Sequence, residues 1–130
     1  EVEMIRLAGE MDLLTAPYVF NPQEATSMAE AGADIIVAHV GTTLSGMIGA
    51  LSSMSLDEAT AAVQSMRDAA KAVNPEVLVL CHGGPIATPD DVSYVLTHVN
   101  GLDGFFGASS MERLPVEIAI AETTARFKAL

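Results

Sequence analysis

Residues 77–86 read Val-Leu-Val-Leu-Cys-His-Gly-Gly-Pro-Ile, and no other stretch narrows the fold as far. Four apolar residues in succession suit a strand buried on both faces, the situation of a parallel sheet covered by helices. The run ends at His82 and opens into Gly83-Gly84, whose backbone N–H groups can come close to a ligand because no Cβ stands in the way. A strand whose C-terminal end opens into such a loop is where α/β proteins place their chemistry. A simple turn is the plainer account of the two glycines. A second glycine loop after the next strand favours the ligand account.

The rest of the chain repeats this unit. Residues 1–11 carry apolar side chains at Val2, Ile5, Leu7, Ala8 and Met11, a helical spacing with no cap ahead of it. Leu13 to Phe20 reads as a strand, with Pro17 tolerable near a strand end. Asn21-Pro22 starts a helix, with Asn as cap and Pro at the first helical position, which runs through Met28 and stops at Gly32. Asp34 to Val40 is the second strand and ends at His39 and Gly41. The loop over 42–54 is long enough to expect a functional role. Ser55 to Glu58 forms a capping box for a helix to about Val73, which Asn74-Pro75 ends. The third strand is Val77 to Cys81. Thr88-Pro89-Asp90-Asp91 then repeats the cap-plus-proline start, with acids in the first turn. That helix ends at Asn100-Gly101, the fourth strand is Gly104 to Phe106, and a last helix begins near Glu112 or Pro115 and runs to Lys128.

One helix followed by four βα units predicts a parallel sheet with right-handed crossovers. A complete (βα)₈ barrel takes about 250 residues, and this chain has 130. The expectation is therefore an α/β fold, the (βα)₄ half of a TIM barrel with parallel strands and outer helices, forming a single domain over residues 1–130. A small open flavodoxin-like sheet is the alternative.

Composition limits the partners. The net charge of −11 argues against nucleic acid. No run of roughly eighteen apolar residues is present, so no membrane span is expected. One cysteine provides neither a disulfide framework nor a thiolate metal cluster and fits a reducing cytoplasm. Hydrophobic residues make up 50% of the chain and the mean hydropathy is +0.37, high for a soluble monomer of this size.

In a barrel all strand C-termini open onto one face. That face would collect Tyr18 and Asn21, His39 with Thr42 and Thr43, His82 with Gly83 and Gly84, and the loop Gly107, Ala108, Ser109, Ser110. The loops after the last two strands are where barrels most often hold phosphate. Ser109 and Ser110 can donate to an anion, or simply cap a helix. Arg113 can clamp the anion, or pair with Glu112 or Glu117. His39 and His82 end adjacent strands at equivalent positions and are the acid/base candidates; the plainer account has each bonded to a neighbouring loop. No third metal ligand is evident, because Asp34 and Asp103 fall at strand beginnings, on the opposite face. No cofactor is expected from these residues, and a divalent metal only with ligands from outside this half. Cys81 points away from His82 and reads as a buried thiol. His98, late in a helix, reads as structural or exposed.

The stretches Leu80-Cys81-His82-Gly83-Gly84-Pro85-Ile86 and Gly104-Phe105-Phe106-Gly107-Ala108-Ser109-Ser110-Met111-Glu112-Arg113-Leu114-Pro115 resemble the phosphoenolpyruvate hydrolase-like TIM-barrel family. Ala38-His39-Val40-Gly41 and Ala16-Pro17-Tyr18-Val19-Phe20 match its pattern too. The same domain type forms the C-terminal part of certain plant virus-resistance proteins. The resemblance implies the C-terminal half of the family domain, with the first four strands outside this chain. Through the family's relation in fold to phosphoenolpyruvate mutase and indole-glycerol-phosphate synthase, it also implies a phosphorylated or carboxylated small molecule at the barrel mouth. Carboxylates of the mutase type would belong to the other half.

Two classes of function follow. One is an enzyme, a hydrolase or lyase acting on phosphoenolpyruvate-like substrates, with His39 and His82 as acid and base and this half alone inactive. The other is a non-catalytic signalling or ligand-sensing barrel, or a half-barrel that only self-associates. Beyond a small anionic ligand, the expected partner is a second copy, as a homodimer or higher homo-oligomer, or the preceding half-barrel.

Overall fold

The computed structural model describes residues 1–44, 46 and 54–130. Strands β1 (Tyr18–Val19), β2 (Ile35–His39), β3 (Leu78–His82) and β4 (Gly104–Phe105) form one sheet in the order β1-β2-β3-β4, every neighbouring pair parallel. Helix α1 (Val2–Glu10) precedes them. Helices α2 (Pro22–Glu30), α3 (Leu56–Val73) and α4 (Pro89–His98) connect successive strands, and α5 (Ser109–Glu112) and α6 (Leu114–Lys128) follow. A doubly wound sheet reverses its strand order partway across. Here the order in space follows the order in sequence, as in a barrel cut along two seams. The fold is half of an α/β barrel, and the flavodoxin-like alternative is set aside.

Local chemistry starts each connecting helix. Asn21 accepts the Glu24 N–H at 2.9 Å, while the Glu24 carboxylate reaches back to the Phe20 N–H at 2.8 Å. Ser55 with Glu58 and Thr88 with Asp91 form reciprocal capping boxes, each satisfying backbone donors that a helix start leaves open. The inward faces of these helices bury Ala25, Met28, Ala29, Val63, Met66, Ala70 and Val95. They meet Val19, Ile36, Ala38, Val79 and Cys81 of the sheet. Register explains that choice. Val19 lies opposite Ala38, Ala38 opposite Cys81 and Cys81 opposite Phe105, one row on the helix side. The neighbouring row, Tyr18, Val37, Leu80 and Gly104, faces the concave side. That side is partly open: Leu78, the first residue of β3, keeps 46% of its surface exposed.

Most boundaries shift by one or two residues, and two differ by more. The first strand is expected over Leu13 to Phe20, but its ladder holds only Tyr18 and Val19. The Pro17 carbonyl accepts the Val37 N–H at 3.0 Å. A residue's N–H and C=O point to the same side of a strand, so the donor Pro17 lacks is missing from the β2 side, and the ladder starts one residue later. The last helix is expected from Glu112 or Pro115, but helical structure already begins at Ser109 and breaks at Arg113, just ahead of Pro115. None of the residues of α6 is buried; Val116, Ile118, Ile120 and Phe127 are all exposed. Most of the loop over 42–54 lies outside the described residues.

Candidate functional site

His39 and His82 stand opposite each other as the last residues of β2 and β3. Equal strand lengths and unbroken register put both imidazoles on the C-terminal rim, with ring centroids 4.8 Å apart and planes at 62°. Three further rings close around them. Tyr18 stacks on His82 at 5.0 Å and presents its edge to His39 at 4.9 Å. Phe20 lies 4.8 Å from His39, and Phe106 5.7 Å from His82. His82 is buried and His39 half-buried. Each Nδ1 has a backbone partner: the Gly41 N–H donates to His39 at 3.1 Å, and the Phe106 carbonyl lies 2.6 Å from His82. Burial first, and the neighbouring His82 second, push the His39 imidazole below its ordinary pKa. It therefore stays neutral further into the acid range than a free histidine.

The loops after β2 and β3 are bonded to each other. The Val40 N–H donates to the His82 carbonyl at 3.0 Å, the Gly84 N–H to the Gly41 carbonyl at 2.7 Å, and the Leu44 N–H to the Gly84 carbonyl at 3.0 Å. Gly83 and Gly84 are buried with φ of +79° and +57°. A Cβ on Gly83 would overlap the Gly41 carbonyl, and one on Gly84 would come 2.5 Å from the Val40 carbonyl. Only glycine fits both the dihedrals and the space. Gly107 differs, because the three atoms nearest to a side chain there all belong to the Met111 side chain.

The remaining predicted residues fall as follows. Ala108 is the N-cap of α5, without a side-chain hydrogen bond, and Ser109 and Ser110 lie in its first turn, so neither serine is a cap. Arg113 pairs with Glu117 at 3.1 Å, both side chains largely covered. Asn21 caps α2. Thr42 is exposed and Thr43 half-buried. The structure thus gathers His39, His82 and Tyr18, while Arg113 and Asn21 have local partners. Phe20 and Phe106 join the ring cluster without having been singled out from sequence. The signal available was position, since each directly follows a strand, Phe20 after β1 and Phe106 after β4.

Asp34 and Asp103 sit at the other end of the sheet, as expected, and tie strands together there. Asp34 accepts the Thr15 N–H and Asp103 accepts the Val79 N–H, both at 2.8 Å. Lys71 pairs with Asp103 at 3.3 Å. Cys81 is buried on the helix side and burial pushes its thiol up to about 11. His98 is exposed and stacks on Tyr94. Among the described residues no group of three His, Cys, Asp or Glu is placed to hold a metal, and no helix is long and apolar enough to cross a membrane.

The sequence profile of the phosphoenolpyruvate hydrolase-like family matches residues 1–130. The chain belongs to that family. Among curated relatives, the tomato mosaic virus (ToMV) susceptible protein tm-1(GCR26) of Solanum lycopersicum is 57% identical over the whole chain, which spans 17% of that protein. The ToMV resistance protein Tm-1(GCR237) of the same plant is 56% identical with the same coverage. A putative transcriptional regulatory protein, y4pA, of Sinorhizobium fredii is 32% identical, and the chain spans 21% of it. The chain is thus about a fifth of the length of these relatives. Two solved structures share the fold. The N-acetylmannosamine-6-phosphate 2-epimerase of Clostridium perfringens matches 95% of this chain and 48% of its own at TM-score 0.58 and 18% identity. The nitroalkane oxidase of Streptomyces ansochromogenes matches 85% of this chain and 31% of its own at TM-score 0.55 and 24% identity. Family membership, parallel half-barrel and these neighbours agree on a barrel-type protein.

Proposed function

We propose that this chain is the half of a phosphoenolpyruvate hydrolase-like barrel that contributes two histidines to a small-anion site on the C-terminal rim. The observation that carries this is the His39–His82 pair on one rung, 4.8 Å apart and walled by aromatic rings. Beside it lies an open, mostly apolar hollow of about 600 Å³; Tyr18, Phe20 and Phe106 line it together with Glu1, its one charged residue, and neither histidine does. Ligand sites are usually mostly apolar hollows with a few polar groups, and here the rim histidines stand next to the hollow through Tyr18, Phe20 and Phe106, the rings they share with it. Paired imidazoles suit a phosphorylated or carboxylated molecule, phosphoenolpyruvate being the one the family description suggests. The loops Gly83-Gly84 and Gly107 to Ser110 would border the anion, and Arg113 would join them only by leaving Glu117. In the complete protein His39 and His82 would exchange protons with the ligand, with hydrolase or lyase chemistry on a phosphoenolpyruvate-like substrate; this half alone would be inactive. The test is titration of the isotopically labelled chain with phosphoenolpyruvate and with inorganic phosphate. Shifts confined to His39, His82 and their ring neighbours, lost in His82→Ala, are expected. A response elsewhere, or none at millimolar ligand, overturns the reading.

The open concave side favours a second, compatible reading, that the half-barrel associates. The outer edges of β1 and β4 have no strand beside them among the described residues, and the epimerase chain is about twice the matched length. Four more parallel strands, from a second copy or from the preceding part of a longer chain, would close the sheet.

A further inference from the structure

The two rim imidazoles are not interchangeable, because the backbone selects a different proton position in each. The partner of His39 Nδ1 is the Gly41 N–H. An N–H only donates, so this nitrogen carries no hydrogen, and the neutral ring bears its proton on Nε2. The partner of His82 Nδ1 is the Phe106 carbonyl. A carbonyl only accepts, so here Nδ1 bears the proton and Nε2 is bare. No hydrogen bond from the described residues reaches either Nε2. His82 keeps 7% of its surface. No buried side-chain nitrogen or oxygen in the described residues lacks a partner, so its unpaired Nε2 is not completely covered. The rings packed round the pair are Tyr18, Phe20 and Phe106, which bring no formal charge.

Resting on the reading of this rim as an anion site, we propose that the pair is a donor–acceptor couple that selects small oxyanions still carrying an O–H. The His39 Nε2–H donates to a ligand oxygen, and His82 Nε2 accepts from a ligand hydroxyl. Hydrogen phosphate satisfies both nitrogens at neutral pH, whereas a phosphate monoester such as phosphoenolpyruvate does so only in its singly protonated form, below a second ionisation at about pH 6. Sulfate has nearly the same shape and no proton, so it sets an oxygen lone pair against His82 Nε2. An unpaired polar atom at a partly buried site weakens binding far more than a missing apolar contact.

The experiment uses the full chain labelled with ¹⁵N at histidine, at pH 7.5. Long-range ¹H–¹⁵N spectra, assigned with His39→Gln and His82→Gln, should give the Nε2–H tautomer for His39 and the Nδ1–H tautomer for His82. The same tautomer at both positions overturns the couple, whatever binds. Phosphate and sulfate are then titrated at matched ionic strength, and phosphate should bind at least tenfold more tightly. Equal affinities with opposed tautomers overturn the selectivity and leave the anion site standing. Binding by neither, with opposed tautomers, overturns the anion site itself and the selectivity with it. In His82→Gln, whose amide can present an N–H, sulfate should gain on phosphate; an unchanged preference would place the discrimination elsewhere and overturn the proposal.

Discussion

Asp34 and Thr15 hold each other reciprocally at the N-terminal end of the sheet. The Asp34 carboxylate accepts the Thr15 N–H at 2.8 Å and the Thr15 hydroxyl at 2.7 Å, while the Thr15 Oγ1 accepts the Asp34 N–H at 3.0 Å. This ties the start of β2 to the segment that leads into β1, where Pro17 withholds a ladder bond.

The pair has a pH signature. Hydrogen bonds from Thr15 lower the Asp34 pKa in the fold. A lowered carboxylate stabilises the fold above its unfolded value of about 3.9, and that contribution disappears as pH falls through the lower folded value. Asp34→Ala should cost about 1 kcal/mol at neutral pH, a figure kept small because the aspartate is solvent-exposed. Asp34→Asn should lose less stability than the parent between about pH 5 and pH 3. Urea midpoints across that range measure both effects, and parallel curves for parent and Asp34→Asn would remove the linkage.

The glycines of the two loops should respond unequally. Gly84→Ala meets a carbonyl and a positive φ together, and should cost roughly 2 kcal/mol or more. Gly107→Ala only displaces part of Met111, a flexible side chain that is 67% exposed, and should cost less than about 1 kcal/mol. Chemical denaturation of both variants against the parent gives the comparison; equal losses would contradict the packing role assigned to Gly84.

Cys81 should be silent in the folded protein. With its thiol pushed up to about 11 and its side chain fully covered, almost none is thiolate at pH 8. Iodoacetamide should leave it unmodified for hours without denaturant and alkylate it fully in concentrated urea, as mass spectrometry would record. Rapid labelling of the folded chain would mean that the helix side of β3 opens.

Association should be visible in the isolated chain. Leu78 and Phe106 on the concave side, and Val116, Ile118, Ile120 and Phe127 of α6, are large apolar side chains left exposed, and large contiguous apolar patches are uncommon on soluble monomers. Light scattering at micromolar concentration should report a mass above 13.6 kDa. A well-folded species at that mass would end the reading that a second copy closes the sheet.

The helix starts were legible from sequence because caps are local: Asn21, Ser55 and Thr88 each find a partner within three residues. The strand order was legible because alternating β and α leaves few topologies. The facing of His39 and His82 came from equal strand endings, which register preserved. The aromatic enclosure was less accessible, since Phe20 and Phe106 enter it only through the positions of four separate strands. Sequence could not decide whether Arg113 turns toward Glu117 or toward an anion, because both geometries use the same residue. Nor did it show that Gly84 gives its amide to Gly41, a contact between residues 43 positions apart.

The bonds that interlace the β2 and β3 loops also bear on binding entropy. His39 and His82 are carried on segments joined through Val40 to His82, Gly41 to Gly84 and Leu44 to Gly84. The two nitrogens a bridging ligand would use are therefore already held at a set separation before it arrives. Little conformational freedom is left for such a ligand to freeze, so affinity can be high for few contacts. It follows that a change in the buried glycines, touching no ligand atom, would weaken binding through restored loop motion while the list of ligand contacts stays the same.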